Sequence, residues 1–371
     1  MTVIFQTNAG TPLLAGDMLI SVRGPHGQTD LRLPSQPNGI VLPTNDSPNY
    51  IPIRMRRKIF VVNPRIAVGV AGSVAEIRIF VDHLISVFAK KTQFTKHEVQ
   101  EFLRRFGLTK LGRSVFDKIG AVLLVEAIDW GGTLTWGVAS QRSFVSDRFG
   151  RGTSIGTGAD TIVSQIRRLD EKYKYGFSQS PDGDAEFPEF LTLANNFMLL
   201  ANVYWKEFAS PDNLFDAWGG AYDIIFQDAD SNFRFLNDYS IFLRLYDVNV
   251  SDKDIQLVNV LKYERRPDVS LMSMFNNGQL QFFGAKDIIA PEGELEISVG
   301  GPSFTFNSDI HVSIIGVGKG TKYLAPMIQI DGLDSKKRAK QTVFTEIRDD
   351  GRLWVAFEAA YDDWLSIGIQ S

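Results

Sequence analysis

The apolar residues of this chain fall into short runs joined in pairs by turn residues, and this pattern restricts the fold more than any other feature. Val3–Phe5 and Leu13–Ala15 flank Asn8-Ala9-Gly10, and the second run continues through Met18–Val22. Lys58–Val62 and Ile66–Val70 flank Asn63-Pro64, and Ile119–Ala127 and Leu134–Ala139 flank Asp129-Trp130-Gly131-Gly132. Each pair reads as a β-hairpin, because strand-forming residues are interrupted by residues that turn easily. Between the hairpins the period changes. From Ser73 to Lys90, Val74, Ile77, Phe80, Val81, Leu84, Ile85 and Phe88 recur at helical spacing with a wide apolar face. Thr95 and Glu98 form a capping-box pattern for a second helix through Phe106. Thr157–Leu169 and Phe190–Phe208 read as two more. Hairpins alternating with paired helices predict stacked antiparallel sheets covered by helices, an α+β layer architecture.

Beyond Tyr222 the helical signal fades. Tyr222–Phe226, Ile241–Val248, Gln256–Tyr263, Gln279–Phe283, Glu294–Val299, Val312–Gly316 and Met327–Ile330 read as strands, and Leu353–Leu365 is ambiguous. The expected division is an α+β domain over 1–228 and a β-rich C-terminal region over 229–371. Two polar, Gly- and Pro-containing stretches, about 24–53 and 171–188, read as inserted loops in the first domain.

Several functions are disfavoured. The chain has no cysteine, which removes thiol nucleophiles, disulfides and Cys-zinc sites. Its 39 basic and 43 acidic residues are dispersed and sum to −4, so no nucleic-acid partner is expected. The basic run Arg54, Arg56, Arg57, Lys58 reads most simply as a solvated stretch entering a strand. His26, His83, His97 and His311 lack metal spacing, and His83 reads as a core histidine. Gly316-Val317-Gly318-Lys319-Gly320 lacks the earlier glycine and following Ser/Thr of a phosphate loop and reads as a strand and turn. No cofactor and no metal are expected. The N-terminus carries no signal-peptide pattern and no apolar run reaches a membrane span, so a cytoplasmic protein with no membrane partner is expected.

The chemistry concentrates at the start of the chain. Thr2 is small enough for Met1 to be removed by an aminopeptidase, which would leave threonine at the terminus. A hydroxyl needs a base, and an N-terminal threonine carries one as its own α-amine, with a pKa of about 7.7–8.0. A lysine would tune that amine, a carboxylate would hold the lysine, and a backbone N–H would receive the oxyanion. Read by themselves, Lys58, Asp17 and Gly72 suit an edge lysine, a turn cap and a tight turn.

The order of these residues resembles the proteasome β-subunit family of N-terminal nucleophile (Ntn) hydrolases. Leu14-Ala15-Gly16-Asp17 is similar to the family's strand-ending Gly/Ala-Asp, and Lys58-Ile59 to its Lys-Ile segment. Val70-Ala71-Gly72-Ser73-Val74-Ala75-Glu76 is similar to its step into the first helix, and Gly72 lies 72 − 58 = 14 residues after Lys58, the family's interval. Ser154-Ile155-Gly156-Thr157-Gly158-Ala159-Asp160 and Asp216-Ala217-Trp218-Gly219-Gly220 resemble two further motifs, with Gly219 in the family's serine position. The resemblance covers about 2–226 and implies a four-layer αββα sandwich and a threonine hydrolase acting on peptide or amide bonds. It makes Thr2, Asp17, Lys58, Gly72, Thr157 and Asp216 catalytic or supporting residues, although Thr157 also suits a helix N-cap. It places Val70 and Val74, which read otherwise as core, at the substrate pocket. It implies a peptide or protein substrate and a homo-oligomer. The alternative is an inactive, scaffolding subunit of the same fold. Against the family, the Thr2–Asp17 hairpin is one residue shorter and the 24–53 loop longer.

Overall fold

The computed structural model describes residues 2–23, 31–40, 50–137, 141–172, 188–210, 212–247, 256–267, 269–276, 279–290, 310–319, 322–332, 343–347 and 353–357. The protein is mixed α and β, with several sheets. It divides into two compact units. The first holds Met1–Leu236 together with Pro267–Val269 and Ala285–Glu294; the second holds Asn237–Arg266, Ser270–Gly284 and Leu295–Ser371. The boundary expected at 228 therefore lies later, and two short segments from far along the chain return to the first unit.

Among the described residues of Met1–Leu236 the elements follow the chain as β1 Val3–Asn8, β2 Pro12–Asp17, β3 Leu19–Arg23, β4 Tyr50–Arg57, β5 Ile59–Asn63, β6 Ile66–Gly72, α1 Val74–Phe88, α2 Lys96–Leu108, α3 Lys110–Phe116, β7 Ile119–Ala127, β8 Trp130–Gly137, β9 Arg142–Ser146, β10 Gly150–Gly156, α4 Ala159–Lys172, α5 Pro188–Ala209, α6 Asp212–Phe215, β11 Tyr222–Gln227 and β12 Phe233–Phe235. One sheet runs β12-β11-β2-β1-β10-β9 and another runs β5-β6-β7-β8, both antiparallel. Val68, Val70, Ala121, Leu123 and Val125 on one face of the second sheet pack against Ile77, Phe80, Val81, Leu84, Val99 and Phe106 of α1 and α2. The adjacent residues Ala67, Ala71, Val122 and Leu124 point the other way and meet Ile4, Leu14, Ile155 and Ile225 of the first sheet. This is the two-residue period of a strand buried on both faces. Each large side chain so buried contributes about 1.5–3 kcal/mol.

The helices expected from periodicity are present, and the Thr95–Glu98 capping box forms in full. The short α3 gave no periodic signal; Thr109 caps it by accepting from the Gly112 N–H at 2.8 Å. The third hairpin turns at Ile128-Asp129, and Gly131 and Gly132 already pair within β8. The run through Met18–Val22 does not continue β2. At Met18 the chain changes partners: its N–H donates to Ala221 at 2.9 Å and its carbonyl accepts from Arg56 at 2.7 Å, after which β3 pairs with β4.

The basic run is not solvated. Arg56, Arg57 and Lys58 are all buried. The Arg57 guanidinium reaches Asp287 at 2.7 Å and the Pro267 carbonyl at 3.1 Å, both from the returning segments. His83 is exposed rather than in the core, with Nδ1 2.9 Å from the Ile79 carbonyl. Of the two inserted loops, 31–40 is described and holds a small turn closed between Leu33 and Gln36, whereas 24–30, 41–49 and 173–187 lie outside the described residues.

The second unit contains β13 Asp238–Asp247, β14 Gln256–Arg265, the larger parts of β15 Val269–Asn276 and β16 Gln279–Asp287, β17 Ile310–Lys319, β18 Lys322–Gly332, β19 Val343–Ile347 and β20 Leu353–Phe357. Its main ladder runs β18-β17-β13-β14-β15, antiparallel except for the parallel β13–β17 pair, and β19 and β20 form a hairpin. Gly316–Lys319 lie within β17, as the strand reading expected. The start of the ambiguous 353–365 stretch is strand; Glu294–Val299 lies outside the described residues.

Candidate active site

Thr2 stands at the head of β1, opposite the end of β2, so the hairpin itself brings it beside Asp17. Lys58 is the residue between β4 and β5 and enters from the facing sheet. The three side chains form one buried group, with relative exposures of 1%, 0% and 2% for Thr2, Asp17 and Lys58. Lys58 Nζ donates to Thr2 Oγ1 at 2.6 Å, to Asp17 Oδ1 at 2.9 Å and to the Leu19 carbonyl. The three donors of an ammonium are thereby used. The Thr2 hydroxyl donates to Asp17 Oδ1.

Asp17 is held as tightly. Its Oδ1 accepts the Val3 N–H at 2.8 Å, and its Oδ2 accepts the N–H groups of Leu19 at 3.2 Å and Gly219 at 3.0 Å. Such a carboxylate has no freedom to turn away, so it fixes both Lys58 and the Thr2 hydroxyl. Burial pulls the Lys58 ammonium below its ordinary pKa, against the opposing pull of Asp17.

Gly72 ends β6 at φ +119°, a left-handed conformation, and a Cβ there would fall on the Lys118 carbonyl and lie 2.9 Å from Ile119 Cα. Only glycine fits. The Val70 N–H donates to the Lys58 carbonyl at 3.0 Å and the Ser73 N–H to Lys118 at 3.2 Å. Strand alternation therefore directs the Gly72 N–H to the Lys58 side.

Thr157 is not the N-cap of α4. The Gly158 carbonyl accepts the first helical bond, from Ile162 at 3.0 Å, while the Thr157 hydroxyl lies 3.4 Å from the Thr2 carbonyl. The 157–158 turn thus holds the backbone of Thr2. Asp216 is not brought to this group. It lies exposed in the turn after α6, and its carboxyl is pushed up by partial burial and by the charge of Asp212. The reason is local: α6 is a single short turn, and the chain presents the Gly219 backbone, not the Asp216 side chain, to Asp17. Val70 is buried in the apolar cluster, and Val74 is half-buried against it.

The sequence reading missed Glu207. This carboxyl, in the last turn of α5, is buried and accepts the Gly220 N–H at 3.0 and 3.1 Å on its two oxygens, the Asn213 amide at 2.6 Å and the Ser35 hydroxyl. Burial pushes it up to about 7, with the nearby Asp17 charge adding in the same direction and the Ser35, Asn213 and Gly220 donors opposing. A signal was available: an acid in the last turn of a helix sits at the unfavourable end of the helix dipole and needs another reason to be there. The 31–40 segment docks beside it, with the Gln36 amide donating to the Glu207 carbonyl at 2.7 Å and the Tyr204 hydroxyl to the Pro34 carbonyl at 3.1 Å. Among the described residues no cluster of side chains suits a metal ion, and no helix is long and apolar enough to cross a membrane. No protein-family model and no curated protein matches the chain, which leaves the geometry of this group as the ground for a functional reading.

Proposed function

We propose that the protein is an N-terminal threonine hydrolase that cleaves peptide or amide bonds, with Thr2 as nucleophile once Met1 is removed. The observation that carries the reading is the buried Thr2–Lys58–Asp17 group, with Lys58 Nζ 2.6 Å from Thr2 Oγ1. Two facing antiparallel sheets with helices packed on them support the proteasome-like Ntn resemblance and its αββα sandwich.

In this mechanism Thr2 Oγ1 attacks the substrate carbonyl carbon as its proton passes to the free α-amine. Lys58 and Asp17 hold the hydroxyl in line. The Gly72 N–H receives the developing oxyanion. The tetrahedral intermediate collapses as the amine gives its proton to the departing nitrogen, leaving an ester on Thr2. Water, deprotonated by the same amine, then releases the acid. Thr157 and Gly158 steady the Thr2 carbonyl throughout. The substrate is a peptide or protein, and a homo-oligomer belongs to the same proposal.

The second reading is a non-catalytic scaffold of this fold, which the near-complete burial of Thr2 favours. Intact mass and N-terminal sequence, with and without a peptide epoxyketone, separate the two. A chain starting at Thr2 that gains the inhibitor's mass, with labelling lost in Thr2→Ala, is expected. A chain that keeps Met1 and stays unlabelled would overturn the hydrolase and leave the scaffold.

A further inference from the structure

Gly219 and Gly220 form a turn at φ +124° and +87°, and the turn lies between two carboxyl groups. The Gly219 N–H donates to Asp17 at 3.0 Å, and the next N–H, of Gly220, is shared by the two oxygens of Glu207 at 3.0 and 3.1 Å. A Cβ at Gly219 would fall on Glu207 Oε2 and lie 2.5 Å from Asn213 Nδ2. The Glu207 carboxyl thus fills the space a side chain at 219 would take, one peptide unit from the carboxylate that holds Thr2 and Lys58. We infer that Glu207 is a positioning residue for the Thr2 site, its carboxyl clamping the Gly219–Gly220 turn and so setting the backbone hydrogen bond that orients Asp17.

The inference deepens the hydrolase reading and rests on it for its kinetic consequence alone. The groups facing the Glu207 carboxyl are the Ser35 hydroxyl from the 31–40 segment, the Asn213 amide from α6, the Gly220 N–H of the turn and, on β2, the Asp17 carboxylate. The Asn213 amide and the Gly220 N–H can only donate, whereas the Ser35 hydroxyl can also accept. An ionised carboxyl accepts from all three. A protonated one turns its O–H to Ser35 and offers the Gly220 N–H only a neutral, weaker acceptor, so its grip on the turn loosens. Because the pKa is pushed up to about 7, that change falls in the neutral range. Asp17 feels it through the Gly219 N–H, and a small displacement of a nucleophile's support lowers rate more than binding.

The test reads the turn itself. Carbonyl-13C tryptophan with 15N glycine selects the glycines that follow tryptophan in the full chain: Gly131, Gly137 and Gly219. The Gly219 amide is expected to titrate with a midpoint near 7, to lose that titration in Glu207→Gln, and to titrate higher in Ser35→Ala, which removes one donor to the ionised form. Gly131 and Gly137 in β8 report that each variant is folded. A Gly219 signal that ignores pH, or that titrates unchanged in Glu207→Gln, overturns the inference. Should Glu207→Gln not fold, an unmoved midpoint in Ser35→Ala overturns it equally. The rate of epoxyketone labelling in the native chain is expected to follow the same midpoint, and Glu207→Gln to lower kcat by up to about 100-fold at constant KM. A native chain that never labels sinks the hydrolase reading, while the Gly219 titration still decides Glu207.

Discussion

Lys58 and Asp17 show what a buried ion pair does in this protein. Two charges out of water gain little net stability as a pair, but either one left alone is costly. Lys58→Ala or Asp17→Ala is therefore expected to lower unfolding free energy by about 3–5 kcal/mol, and the double variant by less than the sum of the two; urea unfolding of the set measures this. Glu207 makes a pH-dependent contribution of the opposite kind. Its folded pKa is raised from the ordinary glutamate value of 4.5 to about 7. Its favourable share of stability is thus full below 4.5, falls as pH rises through 7, and stays lost above it. The size is up to about 3 kcal/mol. The gap in stability between the native chain and Glu207→Gln should accordingly shrink, or turn against the native chain, between pH 4.5 and 7, as read from urea midpoints across that range. The grouping of Thr2, Asp17 and Lys58 was legible only through an order of motifs that resembles a known family, and the hairpins carry that order into space. The places of Asp216 and Glu207 were not, because they depend on which way one short helix and one helix end point.

Among elements, the first hairpin and the α1–α2 pair have different grounds for stability. β1 and β2 are held by burial on both faces, and their register is set because a one-residue slip would turn Ile4 and Leu14 away from the facing sheet. α2 has a more exposed surface and leans on its cap. Thr95 accepts the Glu98 N–H at 3.2 Å, and Glu98 returns to the Thr95 N–H at 2.7 Å. Thr95→Ala is expected to cost about 1 kcal/mol, seen as a lower Tm with no change in Thr2 labelling. The capping box was plain in the sequence because it is a local contract between residues three apart. The break at Met18 was not: Leu13 to Val22 is nearly continuous in apolar character, and only the partners offered by Ala221 and Arg56 split it into two strands.

For the whole chain, the first unit is completed from outside its own stretch of sequence. Arg57 is fully buried, and Asp287 and the Pro267 carbonyl that meet it arrive more than two hundred residues later. Ile288 from the same return joins the apolar cluster under α1 and α2. Asp287→Asn is expected to destabilise the first unit by about 1.5–3 kcal/mol, the range for hydrogen bonds to charged groups, with limited proteolysis and urea unfolding as the readout. A chain cut at 228 would lose these partners together with β12, and is expected to be digested far faster than the full chain under the same protease.

By itself the sequence determined the hairpins, the main helices, the Thr95–Glu98 cap and the want of thiol chemistry. These are properties of periodicity, turn chemistry and composition, and each is written within a short stretch of chain. Only the tertiary structure decided that Arg57 is buried, that Glu207 stands behind the Gly219–Gly220 turn, that Thr157 holds a carbonyl instead of capping a helix, and that the first unit closes with residues 267–269 and 285–294. The physical reason is common to all four. A buried charge or an unsatisfied backbone group is satisfied by whatever partner the fold brings within about 3 Å, and that partner has no fixed distance along the chain.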